Sequence, residues 1–196
     1  MIYMLNNLKK YHIVLASNSP RRRELLSGLG LDYEVRTLPG IEESFPCSLE
    51  GEQIPLYISR EKAAAYTSTM GANDLIITAD TIVWVGGRVL GKPVNEAEAK
   101  SMLHALSGRT HEVITGVTIT TTSFQKSFAV NTEVEFAELN DEEINYYVEH
   151  YRPFDKAGAY GVQEWIGFIG VRGLKGSYYN VMGLPVQRLY QELKNL

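Results

Sequence analysis

A single carboxylate interrupts a long apolar run in Leu75-Ile76-Ile77-Thr78-Ala79-Asp80-Thr81-Ile82-Val83-Trp84-Val85. Buried and unpaired, that carboxylate would be costly. Asp80 therefore either meets a metal, a cation or a cavity, or forms a turn between two strands. A second stretch, Ser17-Asn18-Ser19-Pro20-Arg21-Arg22-Arg23, follows the apolar Ile13-Val14-Leu15-Ala16 directly. Ser19 suits a helix N-cap and Pro20 the first helical position, and Leu25, Leu26 and Leu29 then recur at helical spacing. The arginines fall in the first turn, where the helix already carries partial positive charge. A bound anion would reverse that unfavourable sign, because free backbone N–H groups, the dipole and a guanidinium would all point at it.

The remaining polar residues read two ways. Glu42-Glu43, after Gly40-Ile41, is on its face a solvated loop pair, and Arg60-Glu61-Lys62 a surface charge run on a helix. Gly91-Lys92-Pro93 sets a lysine in a stiff turn, either solvated or a point charge for phosphate. The glycine-rich Asp155-Lys156-Ala157-Gly158-Ala159-Tyr160-Gly161-Val162-Gln163 would let backbone approach a ligand closely. It is not a Walker A loop, and no dinucleotide fingerprint is present. Gly176–Pro185 reads as a turn-rich lead into the last helix. His12, His104, His111 and His150 have no metal-ligand spacing, and no Gly-x-Ser-x-Gly elbow occurs. Scattered cations and carboxylates suit metal-assisted chemistry on a phosphate ester better than acyl transfer.

The elements that must position these groups alternate in type. Strands are predicted at Ile13–Ala16, Leu75–Ala79, Thr81–Val85, Val113–Thr121 and Phe128–Phe136, with a hairpin turn at Gly86-Gly87. Helices are predicted at Pro20–Leu29, about Pro55–Thr69, Glu96–Leu106, Asp141–His150 and Pro185–Leu193. Asn95 with Glu98 resembles a capping box, and Asn140 caps the next helix. Interspersed helices and strands with hairpins favour an α/β fold with a mixed sheet. One domain is the simpler reading, with two lobes flanking a cleft as the alternative.

Bulk composition narrows the classes. With 44% apolar and 21% charged residues, the chain is an ordinary soluble globular protein, and 196 residues suffice for a proper core. A net charge of −4 argues against a general nucleic-acid-binding surface. The single cysteine, Cys47, rules out an internal disulfide and argues against a cysteine-based zinc site. Met1–Lys10 makes a poor signal peptide, and no run of about 18 apolar residues occurs, so no membrane span is expected and the default address is the cytoplasm.

The ordered blocks Leu15–Arg22, Arg60–Ala63, Ala79-Asp80-Thr81, Gly91-Lys92-Pro93, Leu106-Ser107-Gly108, Asp155–Gly161 and Gly176–Pro185 carry a resemblance. From about residue 12 to 190 the chain resembles the Maf family of nucleoside triphosphate pyrophosphatases. The resemblance implies a mixed central sheet with flanking helices and a central cleft, similar to the inosine triphosphate pyrophosphatases. It implies a divalent metal, magnesium first and manganese second, and cleavage between the α and β phosphates. The Asp155–Gln163 block looks like the subgroup acting on dTTP and UTP, in which Arg21 or Arg22, Thr81 and Gln163 match positions tied to base choice. Carried onto this sequence, Asp80 is the proton acceptor, Glu43 and Asp80 hold the metal, and Ser17, Arg21, Arg22, Lys62, Thr81, Lys92 and Gln163 bind the triphosphate. Glu164 stands where that subgroup often has Gly. A homodimer is implied as plausible. The rival readings are a pyrophosphatase for modified or methylated nucleotides and a non-catalytic nucleotide-sensing regulator of cell division.

Overall fold

The run Ile13-Val14-Leu15 is too short for a helix and is buried throughout, and it forms β1 (His12–Leu15). The computed structural model describes residues 3–196, by backbone alone at residues 3 and 4; Met1 and Ile2, the start of the segment read above as a poor signal peptide, lie outside the described residues. β1 pairs in parallel with β2 (Glu34–Val35) on one side and with β3 (Asp74–Val85) on the other. Leu15 stands opposite Ile77, so the two parallel strands run toward Asp80 together.

Between them come two helices. α1 (Pro20–Ser27) starts at Ser19, whose side chain accepts from the Arg22 N–H at 3.4 Å. α2 (Gln53–Tyr66) leads back toward β3. β3 then turns through Gly86-Gly87 into the antiparallel β4 (Arg88–Leu90), with Val85 opposite Arg88. Both glycines have positive φ, 56° and 76°, the requirement of a two-residue type I′ hairpin.

The rest comprises α3 (Glu96–Leu106), β5 (Thr110–Thr120), β6 (Gln125–Phe136), α4 (Asp141–Tyr151), α5 (Trp165–Gly170), β7 (Val171–Lys175), α6 (Tyr178–Met182) and α7 (Val186–Lys194). The sheet has the order β2-β1-β3-β5-β6-β7, with β4 on β3. Parallel β1–β3 and antiparallel β3–β4 and β6–β7 make it the expected mixed α/β sheet with helices.

Two compact units emerge. One comprises the chain up to Asp80 with Thr115–Val130 and Gly183–Leu196; the other comprises Thr81–Ile114 and Asn131–Met182. In the first unit Val14, Tyr66 and Ile76 form a buried core against which Leu38, Ile41 and Met70 pack. Tyr66, at the end of α2, also holds the connection after β2: its hydroxyl accepts from the Leu38 N–H (3.1 Å) and donates to the Arg36 carbonyl (3.0 Å).

α2 is seated on the sheet with little clearance. A Cβ on Gly116 of β5 would stand 2.4 Å from the Pro55 carbonyl carbon and 2.6 Å from the Leu56 nitrogen, both helix backbone. Gly116→Ala must lift the helix, and overpacking of this kind costs about 1–3 kcal/mol. A urea titration of the variant should show a midpoint lowered accordingly; an unchanged midpoint would mean the helix rides freely at this point.

In the second unit His111, Phe136 and Tyr160 meet edge to face, with ring centroids 4.9–5.4 Å apart. His111 Nε2 and the Tyr160 hydroxyl lie 2.7 Å apart. Burial pulls the imidazole down from 6.5 to about 4. The unfolded chain therefore binds the extra proton between those values, and stability falls as pH drops from 6.5 toward 4. The full effect comes to about 3–4 kcal/mol, at about 1.4 kcal/mol per pH unit. Thermal midpoints across that range should decline, and His111→Gln should flatten the slope; an identical slope in the variant would assign the acid sensitivity elsewhere. A second loss comes at lower pH. Burial pushes the Asp74 carboxyl up, but Arg36, His12 and the Gly71 N–H together bring it down to about 2, so its stabilisation vanishes as pH falls from 3.8 toward 2.

Candidate active site

Side chains two apart on a strand share a face, and so do those three or four apart on a helix. Thr78 and Asp80 on β3 thus face Ser59 and Lys62 on α2. The Thr78 hydroxyl donates to the Ser59 carbonyl at 2.7 Å, and the Ser59 and Thr118 hydroxyls lie 2.9 Å apart. One step further along both elements, Lys62 Nζ lies 2.8 Å from Asp80 Oδ1. The step is about 6.6 Å on the strand and about 4.5 Å on the helix, short enough for the flexible lysine stem to take up the difference.

Lys62 Nζ also lies 2.8 Å from Glu43 Oε1 and 3.5 Å from the Ala79 carbonyl. Glu43 follows the segment that Tyr66 and the packed Leu38 and Ile41 hold in place. One ammonium therefore stands between two carboxylates from different parts of the chain. Lys62 and Asp80 are largely buried, at 12% and 10% side-chain exposure, whereas Glu43 is 43% exposed. Asp80 lies inside β3, not at a turn between two strands. Its burial is tolerable because a cation faces it. The charge run Arg60-Glu61-Lys62 is likewise not uniformly solvated, since its lysine turns inward.

The arginines at the start of α1 belong to the same unit. Arg22 donates from Nε to the Gly183 carbonyl (2.8 Å) and from Nη1 to the Ala79 carbonyl (2.9 Å). It ties the helix start to the strand one residue before Asp80. Burial pulls its guanidinium below the ordinary arginine value, Asp80 and Glu43 pull it back up, and Arg21 pushes it down again. Those carboxylates offset part of the wrong-way charge at the helix N-terminus. Arg23 points elsewhere, reaching Asn18 Oδ1 at 3.4 Å. Ser17 is buried, its hydroxyl accepting from the Ser19 N–H at 3.2 Å. Ser17, Arg21, Arg22, Glu43, Lys62 and Asp80 thus all lie in the first unit, and Thr81, Lys92 and Gln163 in the second.

Within the second unit the Gly158 N–H donates to the Gly91 carbonyl at 3.0 Å, joining the turn of Lys92 to the glycine-rich segment. Gly158 has φ +68°, and a Cβ there would stand 2.8 Å from Val83 Cγ2, so this position needs glycine. Ala159 next to it also holds a positive φ, 59°. Beyond them Lys156 is buried and pairs with Asp155 (2.7 Å) and Glu164 (3.1 Å). Glu164 also accepts a short hydrogen bond from the Tyr147 hydroxyl, which in turn accepts from the Gly161 N–H at 3.0 Å. Burial, and then Glu164, push the Tyr147 phenol up, so it stays a donor. Gln163 Oε1 is buried and has no hydrogen-bond partner. The Lys156–Glu164–Tyr147 set was not found from sequence. Lysine and glutamate so close to Gln163 were the available signal, while nothing in the spacing points to Tyr147.

The carboxylates and cations around Lys62 lie past the paired part of the parallel strands β1 and β3, at the start of the helix that follows β1, the place where α/β proteins hold anionic ligands. The chain matches the Maf-like protein family over residues 12–196 and belongs to that family. It is 69% identical over 193 residues to a dTTP/UTP pyrophosphatase of Phocaeicola vulgatus, covering 98% of this chain and 100% of the relative. It is 63% identical over 193 residues, with the same coverage, to a dTTP/UTP pyrophosphatase of Bacteroides fragilis. A third relative of that name, from Porphyromonas gingivalis, is 56% identical over 194 residues, 98% of both chains. Among solved structures the fold is similar to the Staphylococcus aureus Ham1 protein (TM-score 0.52, 19% identity, 92% of this chain and 99% of that one). It is similar also to a HAM1 protein from Coxiella burnetii (TM-score 0.50, 18% identity, 95% and 100%). No described helix is long and apolar enough to cross a membrane.

Proposed function

We propose that the chain hydrolyses dTTP and UTP to the nucleoside monophosphate and pyrophosphate, with Asp80 as the proton acceptor for the attacking water. The observation that carries this reading is the Lys62 ammonium held between Glu43 and Asp80 beside the start of α1. The name dTTP/UTP pyrophosphatase borne by relatives up to 69% identical supports the substrates.

In the first unit Arg21 and Lys62 take up phosphate, with Ser17 at the helix start, and in the second unit Lys92 offers a further ammonium for it. Arg22 directs Nε and Nη1 at backbone carbonyls and so fixes the part of β3 that carries Asp80. Glu43 and Asp80 offer hard carboxylate oxygens to one cation already, which is the donor chemistry magnesium requires. Among the described residues no three of His, Cys, Asp and Glu converge, so these two carboxylates would hold the ion together with phosphate and water oxygens. When bound, the ion supplies charge neutralisation on the phosphates. Asp80 orients the water and accepts its proton, and Lys62 and Arg21 stabilise the charge that develops on the phosphoryl oxygens. Gln163, with Thr81, reads the base. The buried Oε1 of Gln163 calls for a donor, which the imide N–H of thymine and uracil provides and the ring nitrogen of cytosine does not. A homodimer in the cytoplasm completes the reading.

Pyrophosphate release from a panel of nucleotides, with magnesium and with chelator, tests it. An unmatched buried polar group costs about 1–3 kcal/mol, so dTTP and UTP should exceed CTP, ATP and GTP roughly tenfold or more in kcat/KM. Chelator should abolish release. A purine preference, or full activity with chelator, would contradict the reading.

A further inference from the structure

We infer that Glu164 is a positioning residue for base choice: its carboxylate fixes the turn Gly161–Glu164 so that the Gln163 carboxamide is set before the base arrives. The inference rests on the reading of Gln163 given above. The turn is closed by the Glu164 N–H donating to the Gly161 carbonyl at 3.0 Å. Both of its ends converge on one hydroxyl. Tyr147 donates to the Glu164 carboxylate and accepts from the Gly161 N–H. Tyr147 is fully buried on α4, so this anchor has little freedom. The second carboxylate oxygen meets the buried Lys156 at 3.1 Å. The Gln163 carboxamide folds back over the same turn. A Cβ built on Gly161 would stand 3.1 Å from Gln163 Nε2 and 2.9 Å from Glu164 Cδ, so both side chains lie against the bare Gly161 α-carbon. With its nitrogen on that side, the carboxamide leaves Oε1 as the buried acceptor that lacks a partner. Removing the carboxylate frees the turn, and the carboxamide must then be ordered by the base itself, which weakens discrimination.

The test compares kcat and KM for dTTP and CTP in wild type, Glu164→Ala, Glu164→Gln, Tyr147→Phe and Gln163→Ala. Glu164→Ala should lower the dTTP-to-CTP ratio of kcat/KM about tenfold, chiefly by raising KM for dTTP. Glu164→Gln keeps an acceptor for Tyr147 and should recover part of the ratio. Tyr147→Phe deletes only the hydroxyl and should lower the ratio in the same direction, which keeps the test decisive if Glu164→Ala fails to fold. Equal losses on dTTP and CTP, with the ratio unchanged while Gln163→Ala collapses it, would overturn the inference and leave the reading of Gln163 standing. An unchanged ratio in Gln163→Ala would overturn both.

Discussion

Asp80→Asn is expected to lower the turnover of dTTP by a factor of about 10²–10⁴, the usual contribution of a positioned base. The substitution is nearly isosteric. It keeps an oxygen that can accept from Lys62 Nζ, now at 2.8 Å, and removes only the charge and the proton-accepting capacity. The surroundings favour retention of the fold. Residue 80 lies inside β3, which pairs with β1 through four consecutive residue pairs, and Arg22 holds the preceding carbonyl at 2.9 Å. Circular dichroism of the variant should therefore match wild type while steady-state pyrophosphate release falls. Turnover at the wild-type rate would remove Asp80 from the role of base.

Lys62→Met is expected to reduce both turnover and stability. Methionine keeps most of the stem and deletes the ammonium, leaving the carboxylates of Glu43 and Asp80 facing each other without their shared cation. Breaking a buried pair by removing one partner costs roughly 3–5 kcal/mol. The lower end applies here, because Glu43 is 43% exposed and water can solvate it. A cost of about 3 kcal/mol should appear as a lower urea midpoint at neutral pH. Adding Glu43→Gln should return part of that stability, since one of the two opposing charges is gone. Turnover should fall at least about a hundredfold, because the proposed mechanism also sets this ammonium against a phosphate oxygen in the transition state. Unchanged stability and unchanged turnover together would show that the bridge between the carboxylates matters to neither.

Much of this was legible in the chain because local chemistry and tertiary structure agree. Ser19-Pro20 starts α1 at the expected residue, Asn140 with Glu143 makes a full capping box, and Gly86-Gly87 makes the hairpin. Asn95 differs slightly: its side chain accepts from the Glu98 N–H at 2.9 Å, but Glu98 reaches the Val94 N–H at 2.7 Å instead of that of Asn95. The predicted break at Asp80 is absent, because a turn is unnecessary once a lysine from α2 neutralises the carboxylate. That partner is 18 residues away, beyond any local pattern. The helix predicted to Thr69 ends at Tyr66, with a 3-10 turn over Thr67–Thr69. β2, β7 and α5 escaped notice, being two to six residues long and, in α5, rich in glycine. Gly176–Pro185, expected as loop, contains the five-residue α6. The residues around Lys62 were legible, but the surface reading of Lys62 and the turn reading of Asp80 yield only to contacts, the carbonyl-directed role of Arg22 has no sequence signal, and neither does the part Tyr147 plays with Lys156 and Glu164.

In the proposed reaction a lysine-bridged pair of carboxylates beside the first helix readies water to cleave a pyrimidine triphosphate between its α and β phosphates. Its most direct test is a single-turnover experiment with labelled dTTP and magnesium, resolving the products formed by wild type and by Asp80→Asn. Wild type should give dTMP and pyrophosphate, and the variant the same products at least about a hundredfold more slowly. Formation of dTDP and phosphate, or equal rates from both proteins, would contradict it.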